Sequence, residues 1–250
     1  MTIDKLKLNT INLRNTFSNR SKPPISIITS TNKPKYFRNT IKNYTRLNYR
    51  YKELILIFNI DNIDIDYYKS YAEKIPNVMV FQLNECYSLG YCLNFGVNQS
   101  KYNYIAKMDD DDYYGPNYLT DEINAFNYTD AKIIGKCKYF TYFEDTRDLS
   151  INNYSQSYDY TNFIAGGTFL IKKELFKTYK FRDVNMSEDA GFLDDCSSHG
   201  IKIYSIDPFN YVYMRHKSLN EHTWKIPTTA LKKQYFHFYK TTNYIPIVKI

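Results

Sequence analysis

Four consecutive aspartates, Asp109 to Asp112, follow a short apolar run in the segment YIAKMDDDDYYGP. Adjacent carboxylates raise one another's pKa, and a divalent cation that takes their oxygens as ligands removes that penalty. Side chains two apart at a strand end can face one way, which pairs Asp109 with Asp111, turns Asp110 away and frees Asp112 to cap a following turn. A solvated acidic turn competes with this reading, but an apolar strand leading straight into the run argues against it. A calcium loop also competes, with Asp110, Asp112, Gly115 and Asp121 at its first, third, sixth and twelfth positions. There Tyr114 stands where a short oxygen ligand is wanted, the last position lacks a bidentate glutamate, and no helix precedes the loop. A metal and diphosphate site at the end of a strand is the strongest reading.

Such a site needs elements to position it. The runs ISIITS, ELILIF, VMVFQL and YNYIAKM read as short buried strands, and the segments Pro34 to Leu47, Asp64 to Lys74 and Leu89 to Gln99 between them as helices. Strands alternating with helices, with nearly continuous apolar strands, predict an α/β domain with a mostly parallel sheet covered on both faces. Ligands collect at the carboxyl ends of such strands, which is where the aspartates fall. Beyond them KIIGKCKYFTYFED reads as less regular strands, Arg147 to Asn162 as loop, Met186 to His199 as an amphipathic helix, and IKIYSI and YVYMRH as late strands. The division expected is a basic arm over 1–24, a catalytic domain over 25–226 and a helical tail over 227–250, with a closing helix from Pro227 to Tyr239. The arm carries Lys5, Lys7, Arg14, Arg20 and Lys22, and reads as a packed surface segment or as a docking helix for an acidic membrane or partner.

At 250 residues and 43% hydrophobic the chain can bury one sizeable core, and its net charge of +7 suits an anionic ligand without specifying one. Cys86, Cys92, Cys137 and Cys196 lack metal-ligand or disulfide spacing and read as reduced, buried thiols. No run has transmembrane length and no secretory signal opens the chain, so a cytoplasmic protein is expected, with peripheral membrane contact open. Lysine and tyrosine abound without a nucleic-acid-binding motif, so no nucleic acid partner is expected.

Taken in order, ISIITSTNKP, LGYCLNFGV and AKMDDDDYYGP, then Gly166-Gly167, Ser187-Glu188-Asp189 and His216, resemble the landmarks of family 2-like glycosyltransferases with the GT-A (nucleotide-diphospho-sugar transferase) fold, a Rossmann-like sheet flanked by helices. The resemblance runs from about Ile25 to His216. It implies transfer of a sugar from a nucleoside-diphosphate sugar, UDP-linked by family weight, to a hydroxyl of a glycan or glycoconjugate acceptor. Asp109 and Asp111 are then the DxD aspartates holding Mn2+ or Mg2+, with His216 completing the shell and His222 competing for that place. Thr29, Ser30 and Asn32 would line the nucleotide pocket, Asn59 or Asp61 would read the base, and Gly90, Asn94 and Asp110 would lie near the nucleotide sugar. Gly166 and Gly167 would let the backbone approach the donor.

In the same resemblance Asp189 is the catalytic base that accepts the acceptor hydroxyl's proton, with inversion at the anomeric carbon, and Glu188 binds acceptor hydroxyls. Acidic residues also favour helix N-termini for the macrodipole alone, which fits both equally well. Arg215, Lys217 and Trp224 are further candidates for phosphate or sugar contact, and the variable segment Thr141 to Phe163 for the acceptor pocket. Two rival readings are an inactive nucleotide-sugar-binding scaffold and a sugar-phosphate nucleotidyltransferase. The second usually shows a glycine- and basic-rich loop after the first strand, which ITSTNKPK does not match.

Overall fold

The computed structural model describes residues 2–154 and 156–250; Met1, at the head of the expected arm, and Ser155, inside the expected acceptor segment, lie outside the described residues. The first strands β1 (Ile25–Thr31), β2 (Lys52–Asn59), β3 (Val78–Leu83) and β4 (Tyr104–Lys107) alternate with helices. The helix α1 (Ile3–Thr16) precedes them, and α2 (Phe37–Arg46), α3 (Ile65–Ala72) and α4 (Leu89–Gln99) connect them. The apolar runs become strands because helices cover both faces of the sheet. Ile27, Leu54 and Leu56 pack with α2 and α3, while Ile28, Ile55 and Ile57 pack with α4. Ser88 caps α4, its hydroxyl accepting from the Tyr91 N–H at 3.0 Å.

Next come β5 (Tyr113–Tyr114), α5 (Tyr118–Ala125), β6 (Ile133–Gly135), β7 (Phe140–Phe143), β8 (Asp148–Asn152), β9 (Asp159–Tyr160) and β10 (Leu170–Lys172). The chain ends with α6 (Glu188–Ser198), β11 (Ile203–Ser205), β12 (Tyr211–Arg215), α7 (Thr228–Lys232), β13 (Tyr235–Lys240) and α8 (Ile245–Val248). One sheet runs β3-β2-β1-β4-β10-β6-β11-β9. Its first four strands are parallel, β10 is antiparallel to both neighbours, and β9 closes the edge antiparallel to β11. A second sheet, β13-β8-β7-β12-β5, was not expected.

Three expectations change. The segment Arg147 to Asn162 contributes β8 and β9 rather than loop alone, and the tail forms a five-residue helix followed by a strand instead of one closing helix. The third is Cys86, expected to be buried like the other thiols, which is exposed; Cys92, Cys137 and Cys196 are buried. The arm, read as a packed surface segment or a docking helix, is a helix that packs on α5, with Arg14 making two 2.8 Å bonds to Asp121, and Leu6 and Val248 share a core cluster. Among the described residues no helix is long and apolar enough to cross a membrane.

Candidate active site

The acidic run is the crossover between the two sheets, leaving β4 at Lys107 and joining β5 at Tyr113. Its four carboxylates coexist because each meets a different neighbour. Asp112 is buried, its Oδ2 accepting from the Tyr211 hydroxyl (2.6 Å) and its Oδ1 from the Met214 N–H (2.8 Å). It therefore pins the run to β12 instead of capping a turn. Burial, then the nearby Asp111 charge, push its pKa well above the usual carboxylate range. Asp110 accepts from the Thr31 hydroxyl at the end of β1, and burial pushes its carboxyl up to about 7. From α2, the Asn39 amide donates to the carbonyls of Asp110 (2.8 Å) and Asp112 (2.9 Å), fixing the backbone between them.

Asp111 faces His216. Because Asp112 holds Met214, the end of β12 carries His216 Nε2 to 3.2 Å from Asp111 Oδ2. Strand β7 runs beside β12, and Glu144, just past its end, places Oε2 2.9 Å from His216 Nδ1. Nε2 is buried with no aligned hydrogen bond, and a ring carrying its proton on Nδ1, toward Glu144, would offer the Nε2 lone pair to a cation set beside Asp111. Burial lowers the imidazole pKa, but the carboxylates of Asp111 and Glu144 outweigh it and hold it above the ordinary value. An imidazole lone pair beside a carboxylate oxygen, with a carboxylate behind the ring, is a donor set for a divalent cation.

Asp109, expected as a third ligand, bonds instead to Lys107 Nζ at 2.7 Å. Among the described residues no three His, Cys, Asp or Glu side chains converge on a metal position. The pair of Asp111 and His216 fits an ion such as Mn2+ or Mg2+ that takes its remaining ligands from phosphate and water oxygens. His222 sits behind this pair. Its ring nitrogens lie 3.5 Å from the Tyr213 hydroxyl and 3.4 Å from the His216 carbonyl, and burial, then Arg215, pull its pKa down to about 4. Arg215 is itself buried and donates to the Tyr213 hydroxyl and to the carbonyls of Trp224 and Ile226, so it holds the following loop rather than facing a phosphate.

The turn Gly166-Gly167 joins the acidic run to α6. A methyl group on Gly167 would lie 2.8 Å from Asp109 Oδ2, and one on Gly166 would lie 1.8 Å from Asp189 Oδ2. Consecutive Cα atoms are only about 3.8 Å apart, so the two carboxylates flank one short stretch of backbone. The Tyr114 hydroxyl fixes the turn, accepting from the Asp109 N–H (2.8 Å) and donating to the Gly167 carbonyl (2.6 Å). Asp189 Oδ1 accepts from the Ala190 N–H at 2.7 Å, which leaves Oδ2 toward the turn. Glu188 is buried, with Oε1 4.0 Å from Lys107 Nζ, and burial outweighs that cation and lifts its carboxyl to about 7. Ser187, before them, has φ of 65°, a left-handed conformation unusual for serine.

The upstream candidates are placed differently from the expectation. Thr29 and Ser30 lie within β1, Thr29 fully buried, and only Asn32 is in the loop. Asn59 donates to the Asn84 carbonyl (2.7 Å), and Asp61 accepts from the Asn84 amide (3.0 Å) and the Glu85 N–H (3.1 Å), so both brace the loop after β3 at the mouth of the sheet. Gly90 packs on the Arg182 carbonyl, and Asn94 exchanges two hydrogen bonds with the Phe181 backbone, which accounts for both without a ligand. Lys107, Glu144, Asn39 and Tyr114 were not anticipated. Lys107 alone left a signal, as a cation inside an apolar strand.

The glycosyl transferase family 2 model matches residues 26–185 of the chain. No curated protein matches it. Among solved structures, residues 1–349 of TarS from S. aureus superpose with a TM-score of 0.61 at 16% identity, over 76% of this chain and 60% of that one. The same protein in complex with UDP-GlcNAc gives 0.62 at 16% identity, over 78% and 59%. The mannosyltransferase PcManGT from Pyrobaculum calidifontis, in complex with GDP-Man and Mn2+, gives 0.61 at 11% identity, over 85% and 67%. At these identities the likeness is one of fold, and the chain spans about 60% of the length of the TarS fragment.

Proposed function

The chain belongs to glycosyl transferase family 2, and from that premise we propose that it transfers a sugar from a nucleoside-diphosphate sugar to a hydroxyl acceptor, with a divalent metal on the diphosphate and inversion at the anomeric carbon. The observation that carries this reading is the Gly166-Gly167 turn, which has Asp109 on one glycine and Asp189 on the next. The donor's diphosphate is assigned to the carboxyl ends of β1 and β4, beside Asp109 to Asp111, and the acceptor hydroxyl to Asp189. Structural neighbours crystallised with UDP-GlcNAc and with GDP-Man support a nucleotide-sugar donor without choosing the base.

A metal held by Asp111 and His216 would supply a Lewis acid for the negative charge that grows on the leaving diphosphate. Lys107 fixes Asp109 in place through its 2.7 Å bond. Asp189 takes the proton from the acceptor hydroxyl as that oxygen forms its bond to the anomeric carbon. The bond from that carbon to the diphosphate oxygen breaks, and its electron pair leaves with the nucleotide. Of the two helix-start carboxylates, Asp189 suits the base because it is partly exposed and faces the turn, whereas Glu188 is buried beside Lys107.

Asp189→Asn should retain donor binding and lower transfer by about a hundredfold or more, the usual weight of a positioned base. Manganese-dependent thermal stabilisation by UDP, GDP and dTDP gives the binding side of the test and identifies the base. Transfer at the wild-type rate in the variant would remove Asp189 from this role.

A further inference from the structure

Away from the aspartates, a cavity of about 740 Å³ opens between the edge strand β9 and the C-terminal end of α6. Tyr154, Tyr160 and Phe163 line it, 40%, 45% and 42% exposed, together with the amides of Gln156 and Asn162. Large aromatic rings left open to solvent beside planar amides are what ligand sites present to a molecule with one apolar face and several hydroxyls. The charges say which kind. Lys202, a cation in the lining, has its ammonium bonded to Asp130, and the Tyr160 hydroxyl donates to the same carboxylate at 2.5 Å. That leaves rings and amides to meet a ligand, which favours a neutral sugar over a phosphate or a nucleotide.

The site is held in place and connected to the transfer centre. The Thr161 N–H donates to the Ile203 carbonyl of β11 (3.1 Å), and the Thr161 hydroxyl accepts from the Phe163 N–H (3.1 Å). The Ala165 N–H then donates to the Lys136 carbonyl at 2.9 Å, so the segment is tied at both ends. Gly166 lies three positions beyond Phe163, a path of at most about 11 Å. Ser197 of the cavity lies eight residues along α6 from Asp189, about 12 Å at 1.5 Å per residue, a span that the inner units of a glycan with its terminal hydroxyl at Asp189 can cover.

We propose that this cavity is an acceptor subsite that binds neutral sugar units of a glycan chain, distant from the bond being made; this rests on the glycosyltransferase reading. The test uses the full chain, neutral tetrasaccharides of glucose, galactose, mannose and N-acetylglucosamine, and an anionic tetragalacturonate, followed by saturation-transfer NMR and calorimetry. UDP and GDP with Mn2+ are titrated on the same samples. At least one neutral tetrasaccharide should bind, and Phe163→Ala and Tyr154→Ala should each weaken it about tenfold while nucleotide affinity is unchanged. Nucleotide binding with no neutral tetrasaccharide bound, equal binding by the variants, or preference for tetragalacturonate would each overturn the subsite. Failure of both nucleotides to bind would instead remove the glycosyltransferase reading on which it stands.

Discussion

A row of four aspartates is tolerated because the fold gives each carboxylate its own partner: Lys107 for Asp109, Thr31 for Asp110, His216 for Asp111, and Tyr211 with Met214 for Asp112. The chemistry therefore rests on residues far from the run in sequence. Glu144 makes the clearest case, since its carboxylate lies 2.9 Å from His216 Nδ1, where it would hold the ring's proton once a cation takes Nε2. Glu144→Ala should weaken Mn2+ binding in the presence of UDP or GDP by about tenfold, with Glu144→Gln recovering part of the loss. Electron paramagnetic titration of free manganese reads this without any turnover, and an unchanged affinity in the alanine variant would show that the ring needs no such support. The aspartates and the helix-start acids could be found in the sequence because local spacing encodes them. Glu144 could not, because it reaches His216 only through the pairing of β7 with β12.

At the scale of elements, the parallel half was legible for a physical reason: β1, β2 and β4 are covered on both faces, so their apolar runs are nearly unbroken. The second sheet was not legible, since β13 pairs with β8, a partner far away in sequence. The basic arm carries its own prediction. Asp121 in α5 is buried beneath α1, and burial lifts its carboxyl to about 6 even against the pull of Arg14. Arg14→Ala leaves that carboxylate with the Asn210 amide (3.2 Å) but without its cation and should cost about 3 kcal/mol near neutral pH. A carboxyl whose folded pKa lies above its unfolded value holds its proton more tightly in the fold. Its contribution is full below about pH 4 and is lost as pH rises through about 6. Removing Arg14 raises the folded value further, so the deficit should grow from pH 5 to pH 8 in urea unfolding. A deficit that is flat across this range would show that Arg14 acts by packing alone.

At the scale of the whole molecule, the two sheets meet where the acidic run crosses between them, and the turn at Gly166-Gly167 sets the spacing between that crossover and α6. This turn offers a way to disturb geometry without removing any reactive group. Neither glycine is among those with positive φ, so alanine suits the backbone, and the obstacle at Gly166 is the end of the Asp189 side chain. Gly166→Ala should therefore fold with a thermal midpoint near that of the wild type, because a carboxylate tip can rotate away where packed backbone could not. The rotation takes Asp189 out of line, and transfer should fall by about a hundredfold, much as in Asp189→Asn. Nucleotide binding should be spared, since the three atoms nearest the added methyl all belong to Asp189 and none to Asp111, His216 or Glu144. Combining the two substitutions then distinguishes displacement from damage: if the methyl acts only through Asp189, the double variant should be no slower than Asp189→Asn alone. A further loss in the double variant, or weakened nucleotide affinity in Gly166→Ala, would mean that the turn contacts the donor directly and that its closeness to Asp189 is not what the glycine preserves.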